Sequence, residues 1–118
     1  MRNSELEQRT KQFALRVIRM FTKLPKTIEA QIMGKQLLRS GTGVAANYRE
    51  ASRGRSNAEM RSKLGIVEGE LDESLLWFEL LIESGIVPAA RLSSLRQETE
   101  ELLKIIVASI RTLKRRGG

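Results

Sequence analysis

Residues 37–56 read LLRSGTGVAANYREASRGRS. Two glycines one residue apart, then two alanines and a run of arginines, admit two readings: a loop that grips phosphate, or a helix pressed against a neighbour. A Walker-type phosphate loop needs a Lys-Ser/Thr pair after its last glycine and a strand before it. Here Gly43 is followed by Val44 and Ala45, and nothing upstream alternates with the two-residue period of a strand. A stripe of three-and-four spacing instead runs through the glycines: Ile28, Ile32, Leu37, Gly41, Val44, Tyr48 and Ala51, with one break near Met33. This spacing predicts one long helix with Gly41 and Gly43 inside it or at a kink. Two glycines in a helix cost roughly 2 kcal/mol against alanine. Close approach of a neighbour is the natural compensation, and Gly65 and Gly69 are candidate partners.

Working outward, three more stripes appear. Leu6, Thr10, Phe13, Val17, Met20 or Phe21, and Leu24 mark a first helix, opened by a Ser4–Glu7 capping box and closed before Pro25. Met60, Leu64, Val67, Leu71, Ser74 or Leu75, Phe78, and Leu81 or Ile82 mark a third, opened by Ser56 and Glu59 and stopped at Gly85. Leu92, Leu95, Thr99, Leu102, Ile106, Ser109 and Leu113 mark a fourth, with Pro88 at its start. Helices are thus expected near 4–23, 27–52, 57–84 and 89–114. Short connections force antiparallel neighbours, so the expected fold is all-α, a single up-down-up-down four-helix bundle over 1–118. Leu15, Ile18, Leu76, Leu80, Leu103, Val107 and Ile110 widen the stripes beyond a coiled-coil seam, which suits a bundle of four helices or one that also packs against neighbours.

Composition restricts the chemistry. The 118 residues include no Cys and no His, which removes thiolate sites, the commonest general base and the commonest metal ligand. No cofactor or metal site is expected, nor an enzyme. No apolar run approaches the roughly 18 residues of a membrane span, and the polar start MRNSELEQRT lacks a signal-peptide core; a cytoplasmic protein is the expectation. The net charge of +7 is unevenly spread: residues 1–26, 27–56, 57–84 and 85–118 carry +5, +3, −5 and +4. One acidic segment among basic ones fits an anionic ligand such as nucleic acid, or a self-complementary assembly.

Several side chains are candidates for specific work. Glu68 and Asp72 are four apart on the third helix, as are Arg49 and Arg53 on the second; an inter-helix ion-pair network is the expected reading, with Asn47 as a buried amide bonding across helices. Trp77 reads equally as core filler or interface anchor. Up-down topology gathers Arg2, Arg53, Arg55, Lys114, Arg115 and Arg116 at one end. Arg53, Arg55, Lys114, Arg115 and Arg116 are the expected nucleic-acid-binding residues. Stacking aromatics are missing there, so contact with RNA or DNA should be phosphate-led and weakly sequence-specific. The alternative is a protein–protein scaffold whose charge asymmetry serves self-assembly or docking to an acidic partner.

The runs SGTGVAANYREASRGRS and KLGIVEGELDESLLWFELLIESGIV resemble the four-helix-bundle family of proteins encoded by intervening sequences in 23S ribosomal RNA genes, the S23 ribosomal protein-like family. The likeness spans about Phe13 to Leu113 and is strongest at Ala46–Arg49, Arg53–Ser56 and Lys63–Gly85. Asn47-Tyr48-Arg49-Glu50-Ala51 departs from a common Asn-Ile-Ala-Glu-Gly, and Glu70 stands where many members carry Ser. The resemblance implies an up-down bundle and, from related members, a homopentameric ring. A more distant similarity, to the accessory variability proteins of retroelements, implies a basic pentamer that binds nucleic acid and a protein partner.

Overall fold

The computed structural model describes residues 4–117, which form four α-helices: α1 Ser4–Thr22, α2 Ile28–Ser52, α3 Asn57–Glu83 and α4 Ala89–Gly117. Consecutive helices pack side by side and a lighter α1–α4 contact closes a bundle of 47 × 21 × 19 Å. Among the described residues there is no strand, and no helix is long and apolar enough to cross a membrane.

Local chemistry sets the helix ends. The Thr27 hydroxyl accepts from the Ala30 N–H at 3.4 Å to start α2, and Ser56 accepts from Glu59 N–H at 3.1 Å to start α3. Such caps contribute about 1 kcal/mol each. Ser4 is already helical. α3 ends in a left-handed glycine, Gly85 at φ 79°, with the Gly85 N–H on the Ile82 carbonyl and the Ile86 N–H on that of Leu81. That pairing satisfies carbonyls the helix leaves open, at a φ that glycine adopts without strain.

The core follows the stripes of α1, α3 and α4. Phe13, Val17, Leu71, Phe78, Leu102 and Ile106 are almost fully buried. α2 corrects its expected stripe. Ile28 and Ile32 are 78% and 59% exposed, and the buried line runs Ala30, Gly34, Leu37, Gly41, Val44, Tyr48 and Ala51. Small residues lead it because α1 ends in bulk: a methyl on Gly34 would lie 2.5 Å from Leu24 and 3.0 Å from Phe21. The break in the apolar pattern near Met33 marks this switch of face.

α2 runs unbroken through Gly41 and Gly43, each of which admits a different neighbour. A Cβ on Gly41 would sit 2.9 Å from both γ-methyls of Val17 on α1. A Cβ on Gly43 would sit 2.2 Å from the Glu70 carboxylate on α3. Gly65 and Gly69 are not the partners; nothing lies within 4 Å of where their side chains would be. Between the two contacts, the fully buried hydroxyls of Ser40 and Ser74 share a 2.8 Å hydrogen bond across α2 and α3.

Val17 is β-branched and stiff, so it yields little. Gly41→Ala is therefore expected to destabilise the protein by about 1–3 kcal/mol through overpacking. Gly65→Ala, facing open space, is expected to cost nothing and to gain up to about 1 kcal/mol of helix propensity. Urea denaturation midpoints of the two variants against the parent check both signs.

Candidate functional site

The α2–α3 seam carries the main ion-pair network. Arg39 binds Glu70 at 3.3 Å and makes a second, shorter contact with Glu73. The Trp77 indole N–H donates to Glu73 at 3.1 Å. The carboxylate of Glu70 reaches Arg39 across the space left by the missing side chain of Gly43. Hydrogen bonds from Arg39 and Trp77 hold the Glu73 carboxyl below the usual glutamate range. Elsewhere, Lys63 pairs with Glu50 at 2.7 Å, and Arg9 on α1 forks onto Glu98 of α4 at 2.7 and 3.1 Å.

The expected network at Arg49, Arg53, Glu68 and Asp72 is not what the helices bring together. None of the four forms an ion pair among the described residues. Helix register explains this. Ser40 faces Ser74, Gly43 faces Glu70 and Glu50 reaches Lys63. Arg49 therefore lies opposite the turn around Leu64, and Asp72 opposite Gly41, two turns out of step. Asn47 also differs: half-buried, it donates to the Gly43 carbonyl of its own helix at 2.9 Å rather than across the bundle. Spacing along either helix carries no signal of this slide, because in antiparallel helices the register is set by which positions meet, here Ser40 with Ser74 and Arg39 with Glu73.

The expected phosphate-binding residues sit at the other landmark, the end formed by the α2–α3 connection and the C-terminus of α4. Gly117 packs against the Asn57 side chain, so α4 finishes beside the start of α3. Arg53, Arg55, Lys114, Arg115 and Arg116 are all exposed, and none is in an ion pair among the described residues. Arg2 lies outside the described residues.

The five share an end without sharing a cavity. Arg53 lines a groove of about 670 Å³ with Lys11, Arg49, Lys63, Glu50 and Glu59. Lys114 and Arg115 line a shallow 520 Å³ depression with Arg111, which the sequence reading passed over. Arg116 edges a 380 Å³ apolar cleft walled by Leu6, Tyr48, Met60, Leu64 and Leu113. Burial, and then the Glu7 charge, push the Tyr48 phenol above its usual range, so it stays neutral. The first of these surfaces mixes cations with glutamates, the second is basic and the third apolar, and no metal-binding group of His, Cys, Asp or Glu occurs among the described residues.

Comparison with known proteins narrows the identity. Residues 2–108 match the family model described as 23S rRNA-intervening sequence protein. Among solved structures, a protein of unknown function from the S23 ribosomal protein family of Bacteroides thetaiotaomicron VPI-5482 superposes with a TM-score of 0.83 at 31% identity. The match covers 89% of this chain and 97% of that one. No curated protein matches the chain.

The Glu73 contacts carry a pH signature. Its carboxyl titrates lower in the folded state than the unperturbed value near 4.3. The stabilisation is therefore present above about pH 4.3 and lost as pH falls through the folded value. Urea midpoints of the parent should drop between pH 6 and pH 3 by more than those of Glu73→Gln. The single Trp, Trp77, should report the same transition by fluorescence. Equal drops in the two proteins would exclude a stabilising role for the ionised Glu73.

Proposed function

The chain belongs to the 23S rRNA-intervening sequence protein family, and from that premise we propose that it works by binding rather than by catalysis, as a basic homo-oligomeric ring that holds RNA or DNA through phosphates. The observation that carries the reading is the end at which Arg53, Arg55, Lys114, Arg115 and Arg116 are exposed and form no ion pair among the described residues. Guanidinium and ammonium groups on unconstrained side chains neutralise phosphates and release counterions, a contribution that does not depend on base sequence. The apolar cleft beside Arg116 presents one aromatic ring, Tyr48, which supplies little for stacking a succession of bases. Two further facts support the reading: the overall charge of +7, and a family named for its place within ribosomal RNA genes.

A ring repeats the basic end in every subunit, so weak contacts combine by avidity. Five copies is the number that the family resemblance supplies. If each subunit neutralises one or two phosphates, such a ring engages roughly 5–10, and affinity falls steeply between about 50 and 200 mM salt. The second reading, a protein–protein scaffold, has its own support in exposed apolar side chains such as Ile66 and Leu76.

A filter-binding titration against unrelated RNA and DNA sequences at several salt concentrations separates the two. Binding should be similar across sequences and strongly salt-dependent. Arg115→Ala with Arg116→Ala should weaken it for all sequences alike and flatten the salt slope, with helicity unchanged. Unaltered affinity after neutralising all five positions would defeat the phosphate reading and leave the scaffold; a sharp preference for one sequence would also count against it.

A further inference from the structure

At the end of the bundle away from Arg115 and Arg116, the last turns of α1 and the start of α4 enclose a groove of about 550 Å³. Arg16, Arg19, Lys23 and Arg91 line it, over a buried aliphatic floor that includes Leu24 and Leu92. No aspartate or glutamate lines it, whereas the groove beside Arg53 mixes its cations with Glu7, Glu50 and Glu59. Arg19, Lys23 and Arg91 are exposed and Arg16 is half-buried, and none of the four forms an ion pair among the described residues.

The register of α4 on α1 makes this convergence unfavourable for the protein alone. Two turns back along α1 the seam is complementary: Arg9 forks onto Glu98 and reaches Glu101 at 3.4 Å. Arg16 then meets Ser94, whose hydroxyl accepts from the guanidinium at 2.9 Å. Continuing that antiparallel step brings Arg19 level with the stretch from Pro88 to Arg91. Cation thus faces cation here, where the earlier seam pairs cation with acid, and like charges sharing a groove repel. Arg91 also sits in the first turn of α4, which contains no acidic residue. The opening N–H groups of a helix carry partial positive charge, and a cation beside them works against the helix dipole. The negative pole of α1 accommodates Arg19 in part, but no acid lining the groove does the same for Arg91 and the start of α4.

We propose that this groove binds a small polyanion: two or more phosphate groups in series, as in pyrophosphate or the head of an organic diphosphate. Arg16, Arg19 and Lys23 recur at three and four residues along one face of α1 and span about 10 Å at 1.5 Å per residue. Linked phosphates can lie along such a row while Arg91 closes on them from α4. Guanidinium forks match phosphate oxygens two at a time, and the Arg16 fork is already held by Ser94, so less ordering remains to be done on binding. Cations converging from two walls suit charge concentrated in one small ligand. The spread cations of the opposite end suit the extended phosphate ladder of a nucleic acid. The groove rests on no part of that functional reading.

Isothermal titration calorimetry on the full chain, with inorganic pyrophosphate and tripolyphosphate at fixed ionic strength, tests the site. One ligand should bind per chain, at least about tenfold tighter than orthophosphate, through the added charge-assisted contacts. Arg16→Gln with Arg91→Gln should weaken pyrophosphate binding by about tenfold or more, the worth of a charged hydrogen bond. Arg91→Gln alone should melt above the parent without ligand, because it removes a cation from a positive helix pole. Arg115→Gln with Arg116→Gln should leave pyrophosphate binding unchanged. Four merely solvated cations would give no heat with millimolar pyrophosphate, and that result would overturn the proposal. Equal affinity for orthophosphate, or loss of binding in the Arg115 and Arg116 variant instead of the groove variant, would overturn it as well. So would a loss of RNA affinity by filter binding in the Arg16 and Arg91 variant, which would make the groove part of a nucleic-acid track. Should the double variant lose its helicity by circular dichroism, Lys23→Gln, at an exposed position, replaces it and must itself weaken pyrophosphate binding. Failure of the phosphate-binding end proposed above would leave these titrations unchanged, and the reverse also holds.

Discussion

The bundle depends on how closely α2 can approach its two neighbours over the short span from Ser40 to Gly43. Val17 of α1 enters over Gly41 from one side, and Glu70 of α3 enters over Gly43 from the other. A methyl on Gly41 would meet both γ-methyls of the stiff Val17, whereas one on Gly43 would meet the flexible end of Glu70 and displace it. Between them, the Ser40–Ser74 bond pairs two hydroxyls that have no water to turn to. Each hydroxyl also reaches a carbonyl of its own helix, Leu37 for Ser40 at 3.3 Å and Glu70 for Ser74 at 2.9 Å, so the cross-helix bond adds about 1 kcal/mol to a register that shape already favours. The helix propensity lost at two glycines, roughly 2 kcal/mol, is offset at Gly41 by the close seat of Val17 and at Gly43 by room for the Glu70 carboxylate to reach Arg39.

That register determines which charges meet. Once Ser40 faces Ser74, Arg39 faces Glu70 and Glu73, and the acidic surplus of α3 is only partly consumed. Glu73 also takes the indole N–H of Trp77, which ties a large half-buried ring to the ion pair and settles its orientation against the core. Asp72 and Glu83 remain outside, on the side of α3 that α2 does not cover. The same antiparallel path returns α4 beside the start of α3 and leaves Lys114, Arg115 and Arg116 next to the loop of Arg53 and Arg55. Charge is therefore sorted by geometry: Arg53, Arg55, Lys114, Arg115 and Arg116 at one end, Arg16, Arg19, Lys23 and Arg91 around a groove toward the other, and Asp72 and Glu83 along one flank.

The fold was legible because its signals are local and redundant. Three-and-four spacing, two prolines, Gly85 and the Ser56 cap all point to the same four elements. The errors arose where small residues do the packing. Ile28 and Ile32 look like core because they are apolar, yet Ala30 and Gly34 are buried in their place, since Phe21 and Leu24 supply the bulk. The ion-pair network failed for a different reason. Equal spacing of four on two helices says which residues share a face, and says nothing of how far one helix is slid along the other. Only a cross-helix contact fixes that, and the decisive one joins two serines, residues that a hydrophobic pattern treats as gaps. The basic end was readable from topology alone, because gathering charges at an end needs the order of the helices and not their register. Its division into separate surfaces, with Arg111 joining Lys114 and Arg115, depends on side-chain directions that spacing does not convey.

In a chain without His or Cys, the proposed phosphate contact and the proposed self-association make different demands. Phosphate contact tolerates mobile side chains and loose geometry, so the end of the bundle can serve without a preorganised pocket. Self-association has the opposite demand, a rigid and complementary surface, and here a long helix flank carries the exposed aliphatic groups. The two demands fall on different parts of one molecule: the ends of helices, where cations also complement the negative pole of α4, and the flanks, such as the outer face of the 27-residue helix α3. A bundle separates them naturally, because its ends and its flanks are built from different residues of the same helices. Charge at the end can then change without disturbing the flank.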